Sequence, residues 1–254
     1  MCTEYYEPFN REKISIDIFL LVYGLSIPLW VIEAKIDVDR LPLDFSVTDI
    51  LTAFTPLIAV SILVYKEHGR AGVKKLFGRI FDGYRINRKV WYVLIALLPI
   101  LLYFLHLPDH LFRGITPSGR WIIPFGYIPG LSPLFFLGAV VEETGCIGYA
   151  IDPMQELFGA LRASVLIGLL WVVWHYPSII QQGHGGTWIA WGMLGTVAVR
   201  ILIVWLYNNT QKSLFACILF HTMMNLGRPL FPADQAHNPL VDYPFIGRAL
   251  KMDI

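Results

Sequence analysis

The chain has 254 residues, of which 56% are hydrophobic and only 15% carry a charge. A soluble domain has roughly a quarter of its residues charged, so this composition indicates an integral membrane protein rather than one or two soluble domains. The formal net charge of +1 gives no basic field that would attract nucleic acid, and we expect no nucleic-acid partner.

Apolar stretches long enough to cross a bilayer recur along the chain. A transmembrane helix needs roughly 20 mostly apolar residues, and about seven stretches (six to eight) meet this requirement. They are Ile14–Ala34, Val47–Tyr65, Val90–Leu107, Pro133–Ile151, Ala163–Ile180, Trp188–Tyr207 and Leu214–Phe231. The sequence therefore predicts an all-α, polytopic helix bundle that forms a single membrane-embedded domain over residues 1–254.

The segment 66–89, between the second and third predicted spans, is strongly basic. Its only acidic residues are Glu67 and Asp82, and its positively charged residues are Lys66, Arg70, Lys74, Lys75, Arg79, Arg85, Arg88 and Lys89. Apolar residues such as Leu76 and Phe77 recur between them, which predicts a basic amphipathic helix on an anionic membrane surface. The alternative is a solvated loop. The positive-inside rule places this segment and the N-terminus in the cytoplasm.

Ionisable groups inside membrane helices are costly and therefore mark candidate functional sites. Glu142 and Glu143 directly follow the apolar run 134–141. Adjacent helical residues point about 100° apart, so one carboxylate can act as a general base while the other orients its partners. The alternative is a helix end at the membrane interface, where both carboxylates are solvated.

Two later apolar runs also contain polar residues. His175 ends the run that contains Trp171, and its imidazole suits an acid, a base, a metal ligand or a satisfied core residue. His221 and Asn225 are four residues apart and therefore share one helix face. This pair suits an oxyanion hole, but it also suits a polar clamp between membrane helices.

In the interior of a bundle these groups can converge. A water between Glu142 and His175, opposite His221 and Asn225, would have the parts needed for peptide hydrolysis. A proton or ion pathway of a transporter is a further interpretation of buried Glu and His residues. It is disfavoured because the sequence has no detectable repeat symmetry.

Three motifs resemble those of the CAAX protease and bacteriocin-processing family (CPBP, or Abi) of intramembrane proteases. The family motifs are Glu-Glu-x-x-x-Arg, Phe/Trp-x-x-x-His and His-x-x-x-Asn. Their counterparts here are Glu142-Glu143 with the residues up to position 147, Trp171 to His175, and His221 to Asn225. The similarity covers roughly residues 73–226, and the core motif region is about 121–231.

The resemblance implies an endopeptidase that works within the membrane. In the family's scheme Glu142 activates a water molecule with the assistance of His175. His221 and Asn225 stabilise the oxyanion, and Glu143 supports the site.

The resemblance also implies partners and a location. The substrate would be a protein or peptide, prenylated in the CAAX-processing relatives, and the surroundings would be the lipid of a prokaryotic plasma membrane. Because the family has been described as metalloproteases, Glu142, His175 and His221 are candidate ligands for a divalent metal such as zinc. A glutamate-based mechanism without direct metal ligation needs no cofactor.

The chain departs from the family pattern at one position. Cys146-Ile147 stand where members usually have Trp-Arg, so the motif arginine is absent. A catalytically degenerate member that acts as a bacteriocin-immunity or membrane binding protein is therefore the alternative function. Arg200, in the sixth predicted span, can replace the missing charge by reaching Glu143, or it can extend to the membrane interface.

Overall fold

The computed structural model describes residues 14–36, 46–98, 101, 128–181 and 186–227. The secondary structure of this part of the chain is helical, and it includes a short helical segment at residues 90–98. The helices are α1 (Ile14–Lys35), α2 (Val47–Ala53), α3 (Thr55–Gly78), α4 (Ile128–Gly145), α5 (Ile151–Phe158), α6 (Ala160–Gln181), α7 (Gly186–Asn209) and α8 (Leu214–Gly227). The prediction of an all-α bundle is confirmed.

The helices have the length and surface of membrane helices. In the described part of the chain, four stretches are long and apolar enough to cross a bilayer: Ile16–Lys35, Val47–Phe81, Pro129–Phe158 and Ala160–Gln181. Large apolar side chains such as Ile16 and Leu161 are exposed on the surface of the bundle. Such a surface is stable in lipid and unfavourable in water. The chain is an integral membrane protein.

Two of the predicted spans are described only in part. Val90–Leu107 is helical up to residue 98 and at residue 101, and Leu214–Phe231 is helical up to residue 227. The remainders lie outside the described residues. The sixth predicted span lies within α7, which extends it slightly at both ends.

The second predicted span is broken near its start. The predicted span Val47–Tyr65 lies within the apolar stretch Val47–Phe81, but two helices form it, because α2 ends at Ala53 and α3 begins at Thr55. Pro56 occupies the first turn of α3, where its missing N–H costs no helical hydrogen bond. α2 has its own capping box, in which the Ser46 hydroxyl accepts from the Asp49 N–H and the Asp49 carboxylate accepts from the Ser46 N–H.

The basic segment continues α3 past a kink. Gly69 has φ +62°, a left-handed conformation that glycine adopts readily and that bends the helix at this point. Lys66, Arg70 and Lys74 are exposed around the kink, in agreement with the predicted basic helix rather than a loop. Arg79 is different, because only 8% of it is exposed, and its inclusion among the surface cations is corrected.

Arg79 supports a turn that joins α4 to α5. This π-helical turn, Cys146–Ala150, interrupts the regular hydrogen-bond ladder, and such turns are frequent at functional sites. Arg79 Nη1 donates to the Gly148 carbonyl at 2.6 Å, and Nη2 donates to the Tyr207 hydroxyl at 2.7 Å. The Tyr207 hydroxyl in turn donates to Asp152 at 2.9 Å. This network fixes the chain directly after the two adjacent glutamates.

A carboxylate from a distant part of the chain caps the start of α8. Asp82 is 1% exposed and accepts a hydrogen bond from the Ser213 hydroxyl at 2.8 Å. It also accepts from the backbone N–H groups of Leu214 and Phe215, at 3.3 Å and 3.0 Å. The first N–H groups of a helix lack helical partners, and a negative charge there complements the helix dipole. The cap therefore fixes the helix that carries the third motif.

We expect Asp82→Ala to destabilise the bundle by about 3 kcal/mol, because three donors, two of them in buried hydrogen bonds, lose their acceptor. This corresponds to a fall in melting temperature of roughly 6–12 °C for a chain of this size. Thermal unfolding in detergent measures the change, and Asp17→Ala, on the exposed start of α1, is the control. Equal melting temperatures for the two variants would contradict the assignment of this cap.

Candidate active site

The two adjacent carboxylates lie in the last turn of α4 and differ sharply in burial. The Glu143 side chain is completely buried, whereas 15% of the Glu142 side chain is exposed. The alternative of a solvated helix end is therefore excluded for Glu143. The two residues have the separate surroundings that their different directions on the helix predict.

Both oxygens of Glu143 have partners on other helices. Oε2 accepts a hydrogen bond from Arg200 Nη1 at 2.6 Å, and Oε1 lies 2.7 Å from His221 Nδ1. A carboxylate only accepts hydrogen bonds, so Nδ1 of His221 carries the hydrogen in this contact. Short charge-assisted bonds of this kind hold Glu143 in one orientation.

The predicted contact between Arg200 and Glu143 is confirmed. Arg200 is 3% exposed and points into the bundle, not to the membrane interface. Its position depends on a close approach of α6 and α7 at Gly168, where an added Cβ would lie 3.0 Å from Val197 Cα and 3.4 Å from Arg200 Cβ. A larger residue at Gly168 would force these two helices apart.

The opposite side of His221 faces the other carboxylate. Its Nε2 lies 3.7 Å from Glu142 Oε2, a separation that one water or substrate oxygen can bridge. Asn225 lies one turn further along α8 and is partly buried. The structure thus brings Glu142, Glu143 and His221 together, with a hydrogen bond between His221 and Glu143 and a wider separation between His221 and Glu142. The interhelical contacts of His221 also match the clamp interpretation.

His175 reaches this cluster through aromatic rings. Its Nδ1 lies 2.9 Å from the Trp171 carbonyl, and its ring centroid is 5.2 Å from that of Trp171 and 4.6 Å from that of Trp174. The Arg200 guanidinium lies over the Trp171 ring, with Cζ 5.1 Å from the ring centroid. Trp171, itself part of the second motif, therefore connects His175 to the Arg200–Glu143 ion pair.

The hydrogen bonds that hold Trp174, next to His175, are not predicted from the motifs. Trp174 Nε1 donates at 2.9 Å to the Ser26 hydroxyl, which lies 2.8 Å from the Thr55 hydroxyl. The signal was available, since Ser26 is a buried polar residue in the middle of the apolar α1. Tyr23 adds a second bond from α1, 2.6 Å long, to the Leu170 carbonyl. These contacts join α1 and α3 to the helix that carries the second motif.

An apolar crevice lies next to the cluster, between α1, α3 and α6. Its wall includes Tyr23, Pro56, Cys146, Trp171 and Trp174. The Trp171 ring also contacts Arg200, so one wall residue of the crevice adjoins the Glu143 ion pair. The space inside the crevice is about 10 Å³, on the order of one water molecule.

The candidate metal ligands do not form a metal site. Among the described residues, no three Asp, Glu, His or Cys side chains are placed to hold one ion. Of the candidates, Glu142 and His221 are adjacent, while His175 Nδ1 is directed to a backbone carbonyl. Three protein ligands are usual for catalytic zinc, so we assign no step to a metal.

Comparisons with known proteins agree with the motifs. Residues 124–227 match the family described as type II CAAX prenyl endopeptidase Rce1-like. The chain is also 28% identical over 191 residues to the CAAX prenyl protease 2 of Methanococcus maripaludis, which covers 71% of this chain and 70% of the relative. The matched segment contains all three motifs and the helices that converge at Glu143. Over this segment the chain is similar to CAAX prenyl endopeptidases.

Proposed function

We propose that this protein is an intramembrane endopeptidase that hydrolyses a peptide bond with water activated by Glu142. The main support is the asymmetry of the two carboxylates around His221. Glu143 is buried and has both oxygens occupied, whereas Glu142 is partly accessible and lies 3.7 Å from the other imidazole nitrogen. A general base needs room for a water, and only Glu142 has it.

The chemistry follows from these positions. Glu142 accepts a proton from the water as its oxygen attacks the substrate carbonyl, with His175 assisting in orienting the water. The carbonyl oxygen gains negative charge, which His221 and the Asn225 amide stabilise. Glu142 then returns the proton to the leaving amine, and the peptide bond breaks.

The charge of Glu143 is balanced before this step. Arg200 donates to this carboxylate at 2.6 Å and offsets its negative charge. In a low-dielectric interior this balance avoids the cost of an unpaired buried charge. When Glu142 takes the proton, the new negative charge appears on the oxyanion beside His221.

We assign a prenylated peptide as the substrate class. The family match and the name of the Methanococcus relative support this assignment.

A non-catalytic role loses its main argument once Arg200 is considered. That alternative depended on the missing motif arginine at position 147. Arg200 supplies a cation to Glu143 at 2.6 Å, so the carboxylate is not left without a charge partner. A transporter role has no comparable support.

We expect the purified protein in liposomes to cleave a farnesylated CAAX peptide and release its last three residues. The same peptide without the farnesyl group should have a kcat/KM at least about tenfold lower, because apolar burial contributes to binding. Mass spectrometry of the products measures both rates. Failure to cleave any peptide would contradict the proposed function, whereas equal cleavage would contradict only the prenylated substrate.

A further inference from the structure

Glu143 obtains its cation from a different helix than the family motif provides. The motif arginine would lie at position 147, one turn after Glu143 on the same stretch of chain. Ile147 is 1% exposed there and has no polar atom to offer. Arg200 comes instead from α7 and is 57 residues away in sequence.

We infer that Arg200 is a positioning residue that replaces the motif arginine in this chain. It holds Glu143 so that His221 presents Nε2 to Glu142. This inference rests on the proposed function, and it goes beyond the three motifs because position 200 belongs to none of them.

The buried charge of Glu143 needs a cation. A carboxylate that is completely buried in an apolar bundle is strongly unfavourable without one. In the described part of the chain, Arg200 is the one Lys or Arg side chain in an ion pair with Glu143.

Arg200 also fixes the orientation of the Glu143 carboxylate. Oε1 and Oε2 belong to one rigid group, so the Arg200 contact at Oε2 sets the direction of Oε1. Oε1 lies 2.7 Å from His221 Nδ1 and thereby orients the imidazole. Nε2 is on the opposite side of the same ring, 3.7 Å from Glu142. A loss of the Arg200 contact therefore changes the distance between His221 and Glu142.

Arg200 also contacts α6, the helix that carries the second motif. Its guanidinium lies over the Trp171 ring, and the Trp171 ring touches His175 edge-on. A planar guanidinium can donate to a carboxylate and stack on an indole at once, which an ammonium does less well. Arg200 thus joins α4, α6 and α7 at the site.

The test uses an exchange of the two side chains. Arg200→Ile should lower kcat about 100-fold with KM changed less than about threefold, as expected for lost alignment rather than lost binding. The exchange variant I147R/R200I returns a cation to the motif position and should recover at least about tenfold of that loss. Arg162→Ile, on the exposed surface of α6, is the control.

The rates of these variants decide whether Arg200 positions Glu143. An R200I rate within about threefold of the wild type would overturn the inference, as would an exchange variant no more active than R200I. Arg200→Lys keeps the charge, so its kcat should exceed that of R200I, and equal rates in folded protein would overturn the charge argument. If R200I does not fold, the exchange variant must still fold and cleave the peptide. An exchange variant that does not fold or does not cleave would overturn the inference.

A second readout separates this inference from the proposed function. If the wild type cleaves no peptide, the proposed function fails, and melting temperatures decide the role of Arg200. R200I should then melt roughly 10 °C below the wild type, because it leaves a buried charge unpaired. The exchange variant should recover at least half of that difference. No recovery would overturn the replacement of the motif arginine.

Discussion

Glu142→Gln is expected to lower kcat for peptide cleavage by about 1,000-fold, within the range attributed to a general base. The amide has nearly the same shape as the carboxylate and can still lie near His221 Nε2, 3.7 Å away. It cannot accept the proton of the attacking water. We therefore expect KM to change little, because the lost interaction exists only in the transition state. Single-turnover cleavage of the farnesylated peptide measures the step directly.

The control for this prediction is Glu156→Gln, an identical change at an exposed position on α5. It should leave kcat within about twofold of the wild type, as surface substitutions usually do. A Glu142→Gln variant that keeps more than a tenth of the wild-type rate would contradict the assignment of Glu142 as the base. In that case Glu143, despite its occupied oxygens, would have to be reconsidered.

Glu143→Leu is expected to have the largest effect on stability. It leaves the Arg200 guanidinium, which is 3% exposed, without its carboxylate in the interior of the bundle. Breaking a buried ion pair by removing one partner costs about 3–5 kcal/mol. Thermal unfolding in detergent should show a melting temperature lower by roughly 10 °C or more.

The companion variant removes both charges. Adding Arg200→Met to Glu143→Leu should bring the stability back to within about 1 kcal/mol of the wild type, because apolar pairs often replace buried ion pairs without loss. Cleavage should remain lost, since His221 then has no carboxylate at Nδ1. A double variant as unstable as Glu143→Leu would contradict the ion pair as the cause. A double variant that cleaves normally would contradict a supporting role for Glu143.

Hydropathy and motif order predicted the general form of the molecule well. Membrane helices need long apolar stretches, so the sequence alone was sufficient for the helix bundle. The three motifs identified Glu142, Glu143 and His221, whose side chains meet in the structure. Their spacing along each helix is a local property, and local properties are readable from sequence.

Contacts between helices were harder to predict. The pairing of Arg200 with Glu143 was one of two options, and the choice depends on how closely α6 and α7 approach at Gly168. The burial of Arg79 was missed, because a basic residue in a basic segment resembles its exposed neighbours. The break before Pro56 was also missed, since a proline inside a membrane span is compatible with either a kink or a new helix.

The hydroxyl of Ser26 connects the first helix to a motif that this helix does not contain. The family match begins at residue 124, yet α1 contacts the second motif through Ser26 and Trp174. The residues that define the chemistry and the residues that shape its surroundings are therefore encoded in separate portions of the chain. A substitution in α1 can alter the setting of His175 while every motif residue is unchanged.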